Sequence, residues 1–186
     1  MPTCGFALIF FTKNYISTFT SGNLKLIILS ITFIFTFLLP VLNTLILLKM
    51  GRIKSLEMES SSERVIPYIS TALYYFALYY LFYNAAFPTI FKILILGAGI
   101  SILITLLINF WWKISAHTTG IGGIAGAVLG IACRLQADMH FIFMLTILFS
   151  GIVGFARLKL NTHSPAQVYS GFILGFLIEL FLMLFY

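Results

Sequence analysis

The chain has 186 residues, of which 61% are hydrophobic and 9% charged, with a mean hydropathy of +1.08 and a formal net charge of +6. That composition excludes an ordinary soluble domain, and the length leaves room for one compact membrane bundle and no second domain. The positive charge sits in short loops, not on a basic face with interleaved aromatics, so it points to membrane orientation and anionic lipid and away from nucleic acid.

Residues 1–11 are apolar but too short to span a bilayer, and they lack the basic start of a cleaved signal. Residues 1–23 are therefore expected to form a half-helix or an interfacial segment. Six apolar runs then approach or exceed the roughly 20 residues needed for a crossing. They are predicted at 24–48, with Pro40 as a kink, and at 65–87, 90–110, 120–133, 139–155 and 166–185. The third ends in Trp111-Trp112, an interfacial belt signal. The fourth repeats glycine at 122, 126 and 130 on one helical face, a pattern that lets membrane helices approach closely. The predicted fold is all-α, an integral membrane bundle of six transmembrane helices over residues 24–186.

Six spans alternate sides. The loops at 49–64, 113–117 and 157–163 therefore open on one face, and spans two, four and six all begin there. Arg157, Lys159 and His163 fall within seven residues on this face. Ser164-Pro165-Ala166-Gln167 then reads as a helix start, with Ser as N-cap, Pro at the first helical position and Gln three residues after the cap. His163 thus sits just outside a helix N-terminus, where free N–H groups and the helix dipole favour an anion. Cations and an imidazole at such a place suggest a phosphate, although a basic loop between two membrane helices would carry the same residues.

Taken together, the three loops resemble the signature of the type 2 phosphatidic acid phosphatase (PAP2) superfamily. That signature is Lys-x6-Arg-Pro, then Pro-Ser-Gly-His, then Ser-Arg-x5-His-x3-Asp. The third motif here reads Ala156-Arg157-x5-His163-x3-Gln167, followed by Val168 and Gly171, and the second reads Ile114-Ser115-Ala116-His117. The first keeps Arg64, with Glu57 where Lys would stand and Pro67 two residues late. The resemblance covers residues 24–186 and is strongest to a divergent branch common in Bacteroidetes. Members of that branch extend further upstream, which implies a clipped start here.

The resemblance implies a lipid phosphatase acting on a phosphomonoester or pyrophosphate headgroup through a phosphohistidine, with no metal or other cofactor. His163 would be the nucleophile and His117 the general acid. Arg64, Arg157 and the Ser115 hydroxyl would hold the phosphate oxygens, with Lys113 or Lys159 standing in for the missing lysine or simply reaching to the headgroups. Gln167 replaces the Asp that would orient the nucleophile. Its amide oxygen could still accept the imidazole N–H, or it could only complete the helix cap. Ala116 for Gly and Glu57 for Lys further depart from the pattern and keep open a degenerate member that binds or transports a lipid phosphate.

Among the other polar residues, His140 beside Asp138 and Arg134 reads as interfacial on the opposite face. Glu179, inside span six, reads either as a neutral or paired structural group or as part of a proton or lipid pathway. The site face carries Lys49, Arg52, Lys54, Arg64, Lys113, Arg157 and Lys159, against Lys13, Lys25, Lys92 and Arg134 opposite. The positive-inside rule would place the site in the cytoplasm. Up to four of the seven would be retained for phosphate, however, and relatives often face the periplasm, so the expectation is the periplasmic side of a bacterial inner membrane.

Overall fold

The computed structural model describes residues 2–11, 17–18, 20–56, 58, 60–85 and 87–186, and these form seven helices and no strand. They are α1 (Pro2–Phe11), α2 (Gly22–Lys49), α3 (Ser61–Asn84), α4 (Thr89–Asn109), α5 (Ala116–Leu135), α6 (His140–Lys159) and α7 (Pro165–Phe185). The last six are long and apolar enough to cross a membrane. The chain is therefore an all-α integral membrane bundle, with each span displaced by only a few residues from its expected limits.

The sixfold bundle is built around α5. In its most apolar window 67% of residues are buried, against 6% for α6, which turns Phe141, Met144, Leu148, Ile152 and Phe155 outward. α5 packs chiefly on α7, and the glycine face is the reason. A Cβ at Gly122 would meet the carbonyl oxygen of Phe172, and one at Gly126 that of Phe176. From the other side, a Cβ at Gly175 would meet the Thr119 carbonyl, and one at Gly171 the Thr118 hydroxyl. The two backbones touch, which no larger residue at these positions permits.

α1, at ten residues, is about 15 Å long and cannot cross. It does not lie on the surface either. Phe6 and Ile9 are fully buried, and the Phe6 ring packs on Phe82 and Phe91 at centroid distances of 6.3 and 5.0 Å.

In α2 the kink expected at Pro40 takes the form of a π turn, Ile34–Leu38, ending just before it. Pro40 has no N–H to offer the Thr36 carbonyl four residues back. The Tyr75 hydroxyl from α3 donates to that carbonyl instead, at 3.4 Å. The acceptor that Pro40 leaves without an N–H four residues on thus helps join two spans.

Gly175→Ala should lower the melting temperature in detergent, because overpacking at a backbone contact costs on the order of 1–3 kcal/mol. Gly151→Ala is the control. A Cβ there meets nothing within 4 Å, so the change should be neutral or slightly stabilising. Equal melting temperatures for the two variants would refute the close contact.

Candidate functional site

Three turns build the site. The first joins α2 to α3. Gly51 has φ +68°, and the Arg52 N–H reaches back to the Leu47 carbonyl at 2.9 Å, so the helix ends in a left-handed cap. The chain then returns to α3, whose first turn carries Arg64. This arginine is only 6% exposed, and its Nε donates to the Met58 carbonyl at 2.7 Å, which fixes the guanidinium at the helix start. Glu57, the expected replacement for a lysine, lies outside the described residues.

The second turn leads into α5, which begins at Ala116, so His117 rides on the helix's first turn and not in a loop. Ser115 is the N-cap: its Oγ accepts from the Thr118 N–H at 3.5 Å, and the residue is fully buried. The serine expected to hold phosphate is thus placed as a helix cap and does not line the cavity described below. Ala116 has ordinary helical geometry, so this position does not call for glycine here.

The third turn ends α6. Asn161 is left-handed (φ +52°), the Thr162 N–H bonds the Arg157 carbonyl at 3.3 Å, and the Asn161 N–H bonds Leu158 at 3.0 Å. These bonds are a Schellman cap with asparagine at the residue that must take positive φ. The turn brings Arg157 and His163, six residues apart, to the same cavity. α6 runs to Lys159, so Arg157 and Lys159 lie in its last turn, about 200° apart around the axis. With Arg157 facing inward, Lys159 must face out. It is exposed, with its Nζ 6.0 Å from the Phe155 ring centroid, and does not line the cavity.

The result is a cavity of about 290 Å³ lined by Leu56, Met58, Arg64, Tyr68, Ala116, His117, Arg157, Leu160, Thr162 and His163. Two guanidiniums and two imidazoles thus converge from three separate turns and the helix ends they join. Among the described residues no carboxylate lines the cavity, and no ion pair neutralises Arg64 or Arg157. The Arg157 Nε is buried with no hydrogen-bond partner among the described residues. An orphaned charged donor is costly, and an anion placed in the cavity would relieve it. Among the described residues no three His, Cys, Asp or Glu side chains gather to ligate a metal.

The His163 ring is held by its Nδ1, 3.3 Å from the Lys113 carbonyl. A carbonyl only accepts, so Nδ1 carries the proton and Nε2 keeps its lone pair. Lys113 therefore contributes its backbone where its ammonium was expected. The Gln167 amide oxygen accepts from the Ser164 N–H at 3.0 Å, and the Ser164 Oγ accepts from the Gln167 N–H at 3.4 Å, a complete capping box. Gln167 thus caps α7, and its side chain also acts on the imidazole, with a smaller effect than the Lys113 carbonyl. Burial lowers the His163 pKa below its ordinary 6.5. The Lys113 carbonyl opposes this, the charges of Arg64 and Lys113 add to it, and the nearby Gln167 amide weakly opposes it. The ring is neutral at neutral pH.

Two polar lining residues were not singled out from the sequence. Tyr68 reads as one of many packing tyrosines, yet it follows Arg64 by four and so shares its helical face. Thr162 is held by its own hydroxyl on the Arg157 carbonyl at 3.1 Å. At the remote end of the bundle, His140 and Asp138 pair at 2.8 Å, both exposed, as an interfacial couple should. Comparison with known protein families, with curated proteins and with solved structures returns no match.

In ¹⁵N-histidine-labelled protein the His163 ring should show Nδ1–H with an unprotonated Nε2 at neutral pH. That tautomer should persist in Gln167→Ala, which should cost about 1 kcal/mol of stability through the lost cap. An Nε2–H ring, or loss of the tautomer in the variant, would overturn the Lys113 anchor.

Proposed function

We propose that the chain is a membrane lipid phosphatase of the type 2 phosphatidic acid phosphatase superfamily, hydrolysing a phosphomonoester or pyrophosphate headgroup at the bilayer surface. The observation that carries this reading is the convergence of His117, His163, Arg64 and Arg157 in one cavity without a neutralising carboxylate among the described residues. The family motifs of the second and third loops coincide with three of these four side chains, and Arg64 is the retained part of the first.

The chemistry follows from the placement. Arg64 and Arg157 bind the phosphate oxygens and stabilise the charge spread over them as the phosphoryl group transfers. The His163 Nε2 attacks phosphorus, forming an N–P bond as the ester P–O bond breaks. His117 gives its proton to the departing lipid oxygen. Water then attacks the phosphohistidine, losing its proton to His117, and free phosphate leaves with His163 restored. The Lys113 carbonyl stabilises the Nδ1–H throughout, though as a neutral acceptor it supplies less support to a positively charged ring than a carboxylate would. That one weakness favours, as the second reading, a protein that binds or transports a lipid phosphate without hydrolysing it.

Phosphatidic acid, phosphatidylglycerophosphate and polyprenyl pyrophosphate all present the required headgroup. Of the seven site-face cations, Arg64 and Arg157 line the cavity, and the remaining five against four opposite set no orientation. The periplasmic side of a bacterial inner membrane therefore rests on the resemblance alone.

Purified protein should release phosphate from at least one of these lipids, and His163→Ala should lower the rate by roughly 10⁴–10⁶-fold. Release unaffected by His163→Ala would rule out the mechanism, and binding without release would establish the second reading. The lowered His163 pKa fixes one limb of the pH dependence. Attack needs the neutral ring, so the acid limb of kcat/KM should lie below pH 6.5, while the need for a protonated His117 sets a separate fall toward alkaline pH. An acid limb centred above 6.5 would contradict this.

A further inference from the structure

A second cavity, of about 190 Å³, lies inside the bundle and adjoins the first, sharing Tyr68 and Ala116 with it. Its walls are mainly apolar, from Leu94, Ala98, Ile102 and Ile124, yet it also reaches Glu179. This carboxyl is 2% exposed and projects into a space that two neighbouring helices leave open. A Cβ at Gly97 on α4 would lie 2.6 Å from the carboxyl carbon, and one at Gly123 on α5 would lie 3.3 Å from the Glu179 Cγ. From His117 to Gly123 is six residues of helix, so the carboxyl lies ~9 Å below the anion cavity along the bundle axis.

On α4, Gly97 is followed at intervals of four by Ser101, Thr105 and Asn109, a stripe on one face running toward the site end. Ser101 is 6% and Asn109 1% exposed. Thr105 donates its hydroxyl to the Ser101 carbonyl at 2.7 Å, and Asn109 donates its amide to the Ser61 carbonyl at 2.9 Å, beside the start of α3. Five buried side-chain atoms have no hydrogen-bond partner among the described residues, and three of them lie on or beside this line: Glu179 Oε2, Ser101 Oγ and Asn109 Oδ1. Buried polar atoms are normally satisfied by protein or by ordered water. Ser101 Oγ and Asn109 Oδ1 lie on the α4 stripe and Glu179 Oε2 lies beside Gly97 at its inner end, and the cavity lined by Ser101, Thr105 and Glu179 has room for the water that would satisfy them.

The groups facing Glu179 decide what it can bind. α4 presents Gly97 and Ser101, α5 presents Thr119 and Gly123, α3 presents Thr71 and Tyr75, and α1 presents Pro2. The Tyr75 hydroxyl is already engaged with the Thr36 carbonyl. A carboxylate in the membrane interior needs a cation, and among the described residues no lysine, arginine or histidine lines this cavity.

We propose that Glu179 is a proton-exchanging site in the membrane interior, reached by water along the Ser101–Thr105–Asn109 stripe from the anion-cavity side. The carboxylate takes a proton from hydronium in the path, giving carboxylic acid and water, and release reverses the step. This does not depend on the anion cavity being a phosphatase site.

Infrared spectroscopy of the purified full chain tests it. The spectrum should contain a protonated-carboxyl C=O band that is absent in Glu179→Gln and displaced in Glu179→Asp. On transfer to D₂O the band should shift within seconds, and raising the pH should reduce it. In Ser101→Leu, which fills the path, the shift should slow by roughly an order of magnitude while the melting temperature holds. A band that fails to shift over hours would make Glu179 a sealed structural acid. The absence of any Glu179-dependent band across the stable pH range, or exchange as fast in Ser101→Leu as in wild type, would equally overturn the proposal.

Discussion

The backbone contact between α5 and α7 is the constraint on which the remaining geometry depends. Within a bilayer, helices gain no hydrophobic free energy by leaving lipid for one another, so close van der Waals approach must hold them. Gly122 and Gly126 on one helix, and Gly171 and Gly175 on the other, remove the side chains that would keep the axes apart. At the helix starts the Ser115 N–H bonds the Gln167 carbonyl at 3.3 Å and the His163 Nδ1 meets the Lys113 carbonyl. His117 and His163 become neighbours because each belongs to the first turn or the cap region of a helix in this pair.

Around that pair the bundle separates polar from apolar duties. α6 faces outward along most of its length but ends in a cap whose geometry presents Arg157 inward. α3 supplies Arg64, restrained by the Met58 carbonyl, and Tyr68 one turn deeper. The unpartnered Arg157 Nε is the clearest imbalance at the surface, as Glu179 is in the interior. Among the described residues no carboxylate lines the first cavity and no lysine, arginine or histidine lines the second, and the two cavities share Tyr68 and Ala116. Orphaned groups of this kind cost on the order of 1–3 kcal/mol each or more when charged, which the surrounding packing must offset.

Much of this was legible in the sequence, because it depends on periodicity. Six apolar runs of the right length, glycine every fourth residue and the Ser164–Gln167 capping pattern each correspond to a feature of the fold. The spacing of Arg157 and His163 also carried over, since Asn161 between them provides the left-handed turn. What failed to carry over depends on individual lone pairs and on where a helix stops. α6 continues two residues past Arg157, which sends Lys159 to the outside. α5 begins at Ala116, which makes a cap of Ser115. Lys113 serves through its main-chain carbonyl, a group that residue type does not report. That Pro40 would disturb α2 was readable, but not that Tyr75 would use the Thr36 carbonyl.

The proposed phosphohistidine offers the most direct test of the central claim. Protein mixed with a radiolabelled lipid phosphate and quenched in alkali should carry acid-labile, alkali-stable label, as a phosphoramidate does, and fragment mapping should place it on His163. Label on His117 or on any other residue during active hydrolysis would contradict the assignment of His163 as the nucleophile.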